Sequence, residues 1–560
     1  MASFRLATRK ILNVIVITLV LLFVSACGYI DAVTSPVLTP EETQKASPTP
    51  FQPIQNQLFL AKSVPQAWRE SLAGLSEGQI SNEDATNALT ITLDKPRDGE
   101  KEYRVFSRVY VAAVPFPTVV DEISTNALSA LWKGIPDGES VFTQLMVSEE
   151  SAAIFSDYWG SKPSGQVRVL NQEEILDKTW QSTTAVAIIP FEELTPRWKV
   201  LRIDGISPLD KPMDSESYAL LLQYHLNGPL TLESQHSDLA ERIAAEIPAT
   251  NRDEGKMTIL VMSGTTALTR TIAYKMDLKG TDYPTSEIKD WFLSADLRHV
   301  SNEVSIVPQC PDPDPWTSSL KFCTEEKYLP VLESIGVNVI ELTGNHLNDY
   351  GSEAFANTIK IYQNRGWNYF GGGLNQTEAQ KPLEITTNGN KIAFIGCNVA
   401  GPTSDFATEN SAGSAPCNPE YYYSTITRLK NEGYVVIATF QYHEVYVYMY
   451  DDNLRKDFLD AAAAGADIVQ GSQAHFPMGF EFSGNALIHY GLGNFLFDQM
   501  DTPVEGTRRE FIDRHVIYDG QYINTEILTA MLTDWSRPVP MSLEQRNQFL
   551  EDIFQASQIR

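Results

Sequence analysis

The strongest candidate for chemistry is a polar turn that follows an apolar run of the chain. The run 337–340 leads into Thr-Gly-Asn345-His346, which places an amide and an imidazole where a strand is expected to end. In open α/β sheets, ligands bind at that edge. Asn345 can offer a carbonyl oxygen to a hard cation, and His346 offers a nitrogen that titrates near neutral pH. The alternative is a polar turn in which Asp349 or Ser352 only caps the next helix.

Similar polar clusters follow other apolar runs, which is the pattern of a site assembled from several loops. They are Gly264-Thr-Thr266, Ser301-Asn-Glu303, Gln441-Tyr-His-Glu444, Gly471-Ser-Gln-Ala-His475 and Tyr490-Gly-Leu-Gly-Asn494. Together, carboxylate, amide and imidazole groups could hold a hard divalent ion beside an anionic group. Taken singly, Glu303 could instead pair with a core Arg or Lys, and His443 could be a surface histidine.

The elements that must position these clusters alternate between strand-like and helix-like patterns. Strands are expected at 102–113, 166–170, 184–189, 218–226, 257–262, 296–307, 337–342, 391–396, 434–440, 466–469 and 486–490, and helices at 123–132, 324–335, 352–364, 453–464 and 542–555. A hairpin from 510–517 and 522–532 is expected at a sheet edge. This alternation predicts layered α/β architecture with a mostly buried sheet. We predict a first α/β domain at 58–250, a second at 256–535, and a C-terminal helical segment at 536–560.

The beginning of the chain has the features of an export signal. Arg5, Arg9 and Lys10 precede the apolar run 11–24, and Ser-Ala-Cys27 resembles a bacterial lipobox. We therefore predict a signal peptide at 1–26, a lipidated Cys27, and a flexible tether at 27–57 that is rich in Pro, Thr, Gln and Ser. The alternative is an uncleaved anchor helix. Either arrangement predicts a protein held at the cell membrane on its extracytoplasmic face.

The charge of the chain excludes some partners. The formal net charge is −28 over 560 residues, and a polyanion of this kind is a poor partner for nucleic acid or anionic lipid. An anionic substrate stays possible, because a cleft that contains a cation can be locally positive.

Four cysteines besides Cys27 predict two disulfides in an exported protein. They are Cys310, Cys323, Cys397 and Cys417. Four cysteines allow three connectivities, and proximity in sequence favours Cys310 with Cys323 and Cys397 with Cys417. No CxxC pair occurs, so a thiolate zinc site is not expected.

Three ordered motifs resemble the poly-γ-glutamate capsule synthesis protein CapA family, whose fold is of the metallophosphoesterase (calcineurin-like) type. Thr343-Gly-Asn-His-Leu-Asn-Asp-Tyr-Gly351 is similar to its "NNHxxDxG", Gly465-Ala-Asp-Ile-Val-Gln-Gly-Ser-Gln-Ala-His475 to its "GADxVxGxHPH", and Ile488-His-Tyr-Gly-Leu-Gly-Asn-Phe-Leu-Phe-Asp498 to its "IxYSLGNFxFD". The resemblance runs from about Met257 to Asp498.

The resemblance implies a metal site and a catalytic pair. The metal would be Mn, Mg, Zn or Fe, with Glu303, Asn345, His443, Gln473 and His475 as candidate ligands. His346 and Asp349 would be catalytic, with His346 acting as general acid or base. The chain departs from the family at Thr265, where an Asp is usual, and at Gln473, where a His is usual. Because hard cations need carboxylates to balance their charge, these changes predict a weak or single metal rather than a tight dinuclear centre.

The first domain resembles type 2 periplasmic solute-binding proteins. The resemblance lies in Val114-Pro-Phe-Pro-Thr-Val-Val-Asp-Glu-Ile-Ser124, in Ala187-Ile-Ile-Pro-Phe-Glu-Glu-Leu194, and in the position of Tyr218-Ala-Leu-Leu-Leu222. It implies a domain that binds a small solute. The alternative is a domain that only spaces or docks the second one.

Two functions fit these observations. The first is a surface-anchored CapA-family lipoprotein that takes part in the synthesis, anchoring or hydrolysis of an extracellular anionic polymer, with hydrolysis or transfer assisted by a metal. The second is a non-catalytic protein of the cell envelope that binds a polymer or solute through a degenerate metal site.

Overall fold

A long strand organises the amino-terminal half of the described chain. The computed structural model describes residues 58–75, 80–81, 87–135, 138 and 140–559; the predicted signal peptide, Cys27 and the tether lie outside these residues. Strand β4 has an alternating first half and an unbroken buried run from Val109 to Pro115. Strand β4 pairs with β11 along its first half and with β8 along its second half.

The strands of this half are β1 Leu58–Leu60, β2 Ile80–Ser81, β3 Leu89–Thr92, β4 Glu100–Pro115, β5 Glu122–Ile123, β6 Gln144–Ser148, β7 Val167–Leu170, β8 Ala185–Pro190, β9 Trp198–Val200, β10 Arg202–Ile203 and β11 Leu221–Pro229. The helices are α1 Gln66–Leu72, α2 Thr125–Lys133, α3 Glu149–Tyr158, α4 Ile175–Trp180 and α5 Glu233–Glu246. The main sheet has the order β2-β1-β3-β11-β4-β8-β6-β7, with β9 also paired to β4, while β5 and β10 form a separate pair.

The strands of the carboxyl-terminal half are β12 Met257–Thr266, β13 Leu297–Asn302, β14 Ser305–Ile306, β15 Cys323–Thr324, β16 Val339–Glu341, β17 Asn368–Phe370, β18 Gly372–Gly373, β19 Leu383–Thr387, β20 Asn390–Asn398, β21 Gly413–Ser414, β22 Val435–Gln441, β23 Ile468–Ser472, β24 Phe480–Ser483, β25 Ala486–His489, β26 Arg509–Tyr518, β27 Gln521–Thr533 and β28 Arg537–Pro540. The helices are α6 Arg270–Lys279, α7 Lys289–Leu293, α8 Pro330–Ser334, α9 Ser352–Asn364, α10 Gln376–Ala379, α11 Pro419–Asn431, α12 Asp452–Ala464 and α13 Leu543–Ser557.

Two sheets form the centre of this half. One has the order β17-β16-β13-β12-β26-β27-β28, and the other has the order β19-β20-β22-β23-β25-β24. Their inner faces share an apolar core that includes Leu260, Phe394, Ile437 and Phe511. Helices cover the outer faces: α6 and α9 pack on the first sheet, and α11 and α12 on the second. The predicted layered α/β fold is therefore correct.

Parallel pairing brings several strand ends to the same edge. Strands β12, β13 and β16 are parallel neighbours in the first sheet, and β20, β22, β23 and β25 are parallel neighbours in the second. The residues that follow these strands therefore meet at the carboxyl edge of both sheets.

Three local predictions need correction. The helix expected at 324–335 is only α8, because Pro330 fits the first turn of a helix but not its interior. The tail hairpin is not at an edge: β26 pairs with β12 in the middle of the sheet, and β28 is the edge strand. The C-terminal segment predicted as helical at 536–560 includes that edge strand, and its helix is α13.

Both predicted disulfides are present, joining Cys310 to Cys323 and Cys397 to Cys417. None of the described helices is long and apolar enough to cross a membrane.

Candidate functional site

The carboxylate of Glu303 lies at the centre of the site. Glu303 follows β13 and is 1% exposed. The turn after β16 lies directly on it, and the backbone amide of Asn345 donates to Glu303 Oε2 over 3.4 Å. This close approach requires Gly344, since a Cβ there would lie 2.9 Å from the Cα of Glu303. Burial raises the pKa of Glu303 to about 7, against the lowering effects of the His346 charge and of hydrogen bonds from Gln441 and Asn345.

The side-chain amide of Gln441 stands among three oxygen atoms. Its Nε2, which carries two hydrogens, has three acceptors within hydrogen-bond distance: Glu303 Oε1 at 2.9 Å, Asn345 Oδ1 at 3.1 Å and Gln473 Oε1. The hydroxyl of Ser472 donates to Gln441 Oε1 over 2.7 Å. The Glu303 carboxylate accepts hydrogen bonds, and the Ser472 hydroxyl already donates to Gln441 Oε1. The side-chain nitrogen of Gln441 therefore points towards the oxygens of Glu303, Asn345 and Gln473. We call Glu303, Asn345, Gln441 and Gln473 the oxygen cluster.

His346 and Asp349 form the hydrogen-bonded pair at the rim of the site. His346 Nδ1 lies 2.9 Å from Asp349 Oδ2, which also accepts the backbone amide of Phe322 over 2.7 Å. The ring of Phe322 lies 4.5 Å from the His346 ring. Burial lowers the pKa of His346, but the hydrogen bond to Asp349 and the charge of Glu303 outweigh burial and raise it. The imidazole is therefore held in one orientation by an acidic partner.

Gln473 and His475 reach the site from a strained loop after β23. Both have left-handed backbones, with φ of 76° and 52°, a conformation that costs about 1–3 kcal/mol for such residues and is typical of functional sites. His475 Nδ1 lies 2.8 Å from Asn494 Oδ1, and its ring stacks on Phe497 at 4.4 Å. Burial lowers the pKa of His475, so its ring is neutral near pH 7.

His443 is not brought to the oxygen cluster. Strand β22 ends at Gln441, and the side chains of His443 and Glu444 are exposed on the loop that follows. The His443 ring packs 5.0 Å from Tyr442, and Glu444 accepts the hydroxyl of Tyr446. The side chain that β22 contributes to the oxygen cluster is therefore Gln441 and not the predicted ligand His443.

Sequence reasoning missed two further residues of the site. Gln441 belongs to the polar cluster Gln441-Tyr-His-Glu444, but a neutral amide is a weaker indication of a metal ligand than the imidazole of His443 two residues later. Asp405 gave no sequence signal. It is buried, accepts the backbone amide of Asn348 over 3.1 Å, and has its pKa raised to about 7 by burial.

The donor set does not fit a resident dication. Among the described residues, no three His, Cys, Asp or Glu side chains are grouped so that they could hold a metal ion. Glu303 is the one carboxylate of the oxygen cluster, and the N–H groups of Gln441 occupy the space where its oxygens converge. Thr265, which stands where an Asp is usual in the family, is buried and offers only a hydroxyl. Among the described residues, no buried side-chain atom of Glu303, Gln441 or Gln473 lacks a hydrogen-bond partner, whereas the Thr265 hydroxyl has none.

The comparisons with known proteins concern the segment that carries this site. Residues 259–499 match the family model for "Bacterial capsule synthesis protein PGA_cap". The "Capsule biosynthesis protein CapA" of Bacillus anthracis is 26% identical over 321 residues, 55% of this chain and 76% of that protein. The "PGA biosynthesis protein CapA" of Bacillus subtilis (strain 168) is 27% identical over 177 residues, 31% of this chain and 47% of that protein.

Solved structures show only remote likeness. An ABC-type phosphate transport receptor from Vibrio cholerae is 12% identical with a TM-score of 0.27, covering 34% of this chain and 100% of that one. The Haemophilus influenzae NAD nucleotidase is 10% identical with a TM-score of 0.31, covering 53% and 56%. The family model and both CapA relatives support the CapA capsule-synthesis family for residues 259–499, the segment that holds the entire oxygen cluster.

Proposed function

We propose that this protein takes part in the synthesis of a capsule-type extracellular polymer and that its site binds a polymer segment without a resident metal. The resemblance of residues 259–499 to capsule synthesis proteins supports the process. The single observation that carries the metal-free role is the Gln441 amide among the oxygens of Glu303, Asn345 and Gln473.

The rim of the site suits an anionic polyamide such as poly-γ-glutamate. Asn345 is the partly exposed member of the oxygen cluster, and His346 next to it has 23% of its side chain accessible. An amide can pair with the amide groups of a polymer backbone. A His346 ring whose pKa is raised carries more positive charge near neutral pH and so attracts a polymer carboxylate.

A metal-assisted or metal-free hydrolase is the second candidate. The observation that favours it is the His346–Asp349 hydrogen bond next to Glu303, whose pKa of about 7 suits proton transfer near neutral pH. In this role His346 would exchange a proton with the scissile group while Asp349 holds the ring.

Binding and turnover measurements on the purified full-length protein separate the two roles. We expect wild type to bind poly-γ-glutamate, and Asn345→Ala and His346→Ala to bind about tenfold or more weakly, which corresponds to about 1.4 kcal/mol. His443→Ala is the matched control and should bind like wild type. Stoichiometric Mn, Mg, Zn or Fe, with hydrolysis of a γ-glutamyl peptide or a phosphodiester that Glu303→Gln abolishes, would establish the hydrolase instead.

We also propose that the protein is anchored on the extracytoplasmic face of the cell membrane by a lipid on Cys27. The motif Ser-Ala-Cys27 after the apolar run 11–24 supports this. The Cys27→Ser variant should move from the membrane fraction to the soluble extracytoplasmic fraction. An unchanged distribution would contradict lipid anchoring.

A further inference from the structure

A cavity lies where the amino-terminal half meets β27 and α13. Its volume is about 310 Å³, at the lower end of the range for small-molecule sites. The loop after β4, strand β9, helix α7, strand β27 and helix α13 all contribute to its lining. Apolar side chains that include Phe116, Trp291 and Leu550 form much of the wall. The cavity is separate from the oxygen cluster, and the proposed polymer-binding role does not use it.

Two cations in the lining share one carboxylate oxygen. Lys199 Nζ lies 2.7 Å from Asp121 Oδ1, and Arg546 Nη2 lies 3.0 Å from the same atom. The side chains of Lys199 and Arg546 are only 14% and 16% exposed. Their remaining contacts on this side are neutral carbonyl groups, such as those of Thr118 and Val119. One carboxylate, whose side chain is 38% exposed, therefore faces two largely buried positive charges.

The other charges of the lining are already paired. Arg202 makes two hydrogen bonds with Asp210, over 2.8 and 2.9 Å. Glu526 pairs with Arg514. Among the charged side chains of the described lining, the excess of one positive charge thus lies in the group of Lys199, Arg546 and Asp121. Charge excess of this kind is costly inside a protein unless an anion balances it.

A second observation also indicates a missing partner. Thr529 lines the cavity and is 3% exposed. Among the described residues its hydroxyl has no hydrogen-bond partner. Buried hydroxyl groups are normally satisfied, so this one is an exception in a residue of the cavity wall.

We propose that this cavity binds a small organic monoanion, a carboxylate with a short apolar body, whose charge balances Lys199 and Arg546 and whose body packs on Phe116, Trp291 and Leu550. The single excess charge favours a monoanion over a multiply charged one. The apolar wall favours an organic acid over an inorganic ion.

The pH dependence of binding follows from Lys199. Burial lowers the pKa of Lys199 to about 8, and the charge of Arg546 lowers it too, while Asp121 and Glu526 raise it. The ammonium loses its proton above this pH, which removes the excess positive charge. Affinity for the anion should therefore be highest below pH 8 and fall as the pH rises through it.

Isothermal titration of the full-length protein with hexanoate tests the proposal, with hexanamide and inorganic phosphate as comparison probes. We expect hexanoate to bind, hexanamide to bind at least about tenfold more weakly, and phosphate to bind more weakly than hexanoate. Equal binding of hexanoate and hexanamide, tighter binding of phosphate, or no binding of hexanoate below pH 8 would overturn the proposal.

Two variants must act in opposite directions. Lys199→Met removes a positive charge and should weaken hexanoate binding about tenfold or more, whereas Asp121→Asn removes the competing anion and should strengthen it. Thermal unfolding of each variant shows whether it is folded. If Lys199→Met does not fold, the Asp121→Asn result and the probe comparison in wild type still decide. Weakening by Asp121→Asn in a folded protein would contradict an anion site.

Discussion

The oxygen cluster around Gln441 and the cavity beside Lys199 are both polar centres in apolar surroundings, but they differ in how their groups are balanced. In the cluster, the N–H groups of Gln441 meet acceptor oxygens of Glu303 and its neighbours, so the chain supplies its own counter-group. In the cavity, Lys199 and Arg546 share Asp121 and leave positive charge unmatched. Residue type alone therefore does not identify a ligand site. The oxygen cluster, whose acceptor oxygens already have a donor from the chain, excludes a cation. The cavity, whose positive charge is unmatched, attracts an anion.

The largest effect should come from opening the oxygen cluster. Gln441→Ala leaves Glu303 Oε1 buried without its donor and only the Asn345 backbone amide on Oε2, which should lower the free energy of unfolding by about 2–4 kcal/mol at pH 8. If the amide takes the place of a cation, Mn²⁺ should recover about 1–3 kcal/mol in the variant and nothing in wild type. Chemical denaturation with and without Mn²⁺ measures both.

A buried glutamine elsewhere provides the control for that experiment. Gln470 donates to Asp513 over 3.3 Å and is 2% exposed. Gln470→Ala should lose stability without recovery by Mn²⁺. If Mn²⁺ stabilises wild type as much as Gln441→Ala, the cluster already has room for a cation and the comparison fails.

The next effect sharpens the other side of the comparison. Arg546→Met should weaken hexanoate binding about tenfold, because Arg546 belongs to the unmatched charge. Removing both members of a matched pair, Arg202→Met with Asp210→Asn, should change the affinity less than about twofold, a difference of about 0.4 kcal/mol. Titration calorimetry on both variants decides. The double substitution leaves the net charge unchanged, so an equal loss of affinity would contradict a site that depends on the unmatched charge.

A smaller effect concerns the rim of the oxygen cluster. Asp349→Asn removes the negative charge that raises the pKa of His346 and leaves only a neutral hydrogen-bond acceptor, so the pKa should fall. Asp405→Asn, which removes a more weakly acting charge, should lower it less. Titration of the His346 ring signals by NMR measures both shifts. An unchanged pKa in Asp349→Asn would mean that Asp349 holds only the Phe322 backbone.

The smallest effect is expected at the histidine that the sequence favoured. His443→Ala should change the free energy of unfolding by less than about 0.5 kcal/mol, because an exposed residue on a loop gives up little on truncation. Denaturant unfolding checks this. A loss comparable to that of Gln441→Ala would place His443 in the cluster after all.

Much of the fold follows from local patterns. The helix at 352–364 has the predicted bounds because it begins directly after Gly351 and keeps an apolar stripe. The paired cysteines were found from proximity alone. The position of β26 could not be found this way, because its place in the middle of the sheet depends on antiparallel pairing with β12, more than two hundred residues earlier.

The sequence predicts the residues of loops that directly follow parallel strands. It does not predict the residue at which a strand ends, and that residue determines which side chain enters the site. Glu303 and Asn345 follow parallel strands of the first sheet, Gln473 follows a parallel strand of the second, and the carboxyl edges of the two sheets meet at the site. His443 does not join them, because β22 ends two residues earlier, at Gln441. The group formed by Asp121, Lys199 and Arg546 gave no signal at all, since no motif connects residues that are so distant along the chain.

The bridge between Cys310 and Cys323 ends one residue after Phe322, whose ring covers His346. The disulfide next to Phe322 therefore restrains the position of this ring, and the disulfide persists only under oxidising conditions. A molecule made where thiols stay reduced should keep both sheets but expose the His346 imidazole more. The accessibility of the His346 ring would then report whether the protein matured in an oxidising or a reducing compartment.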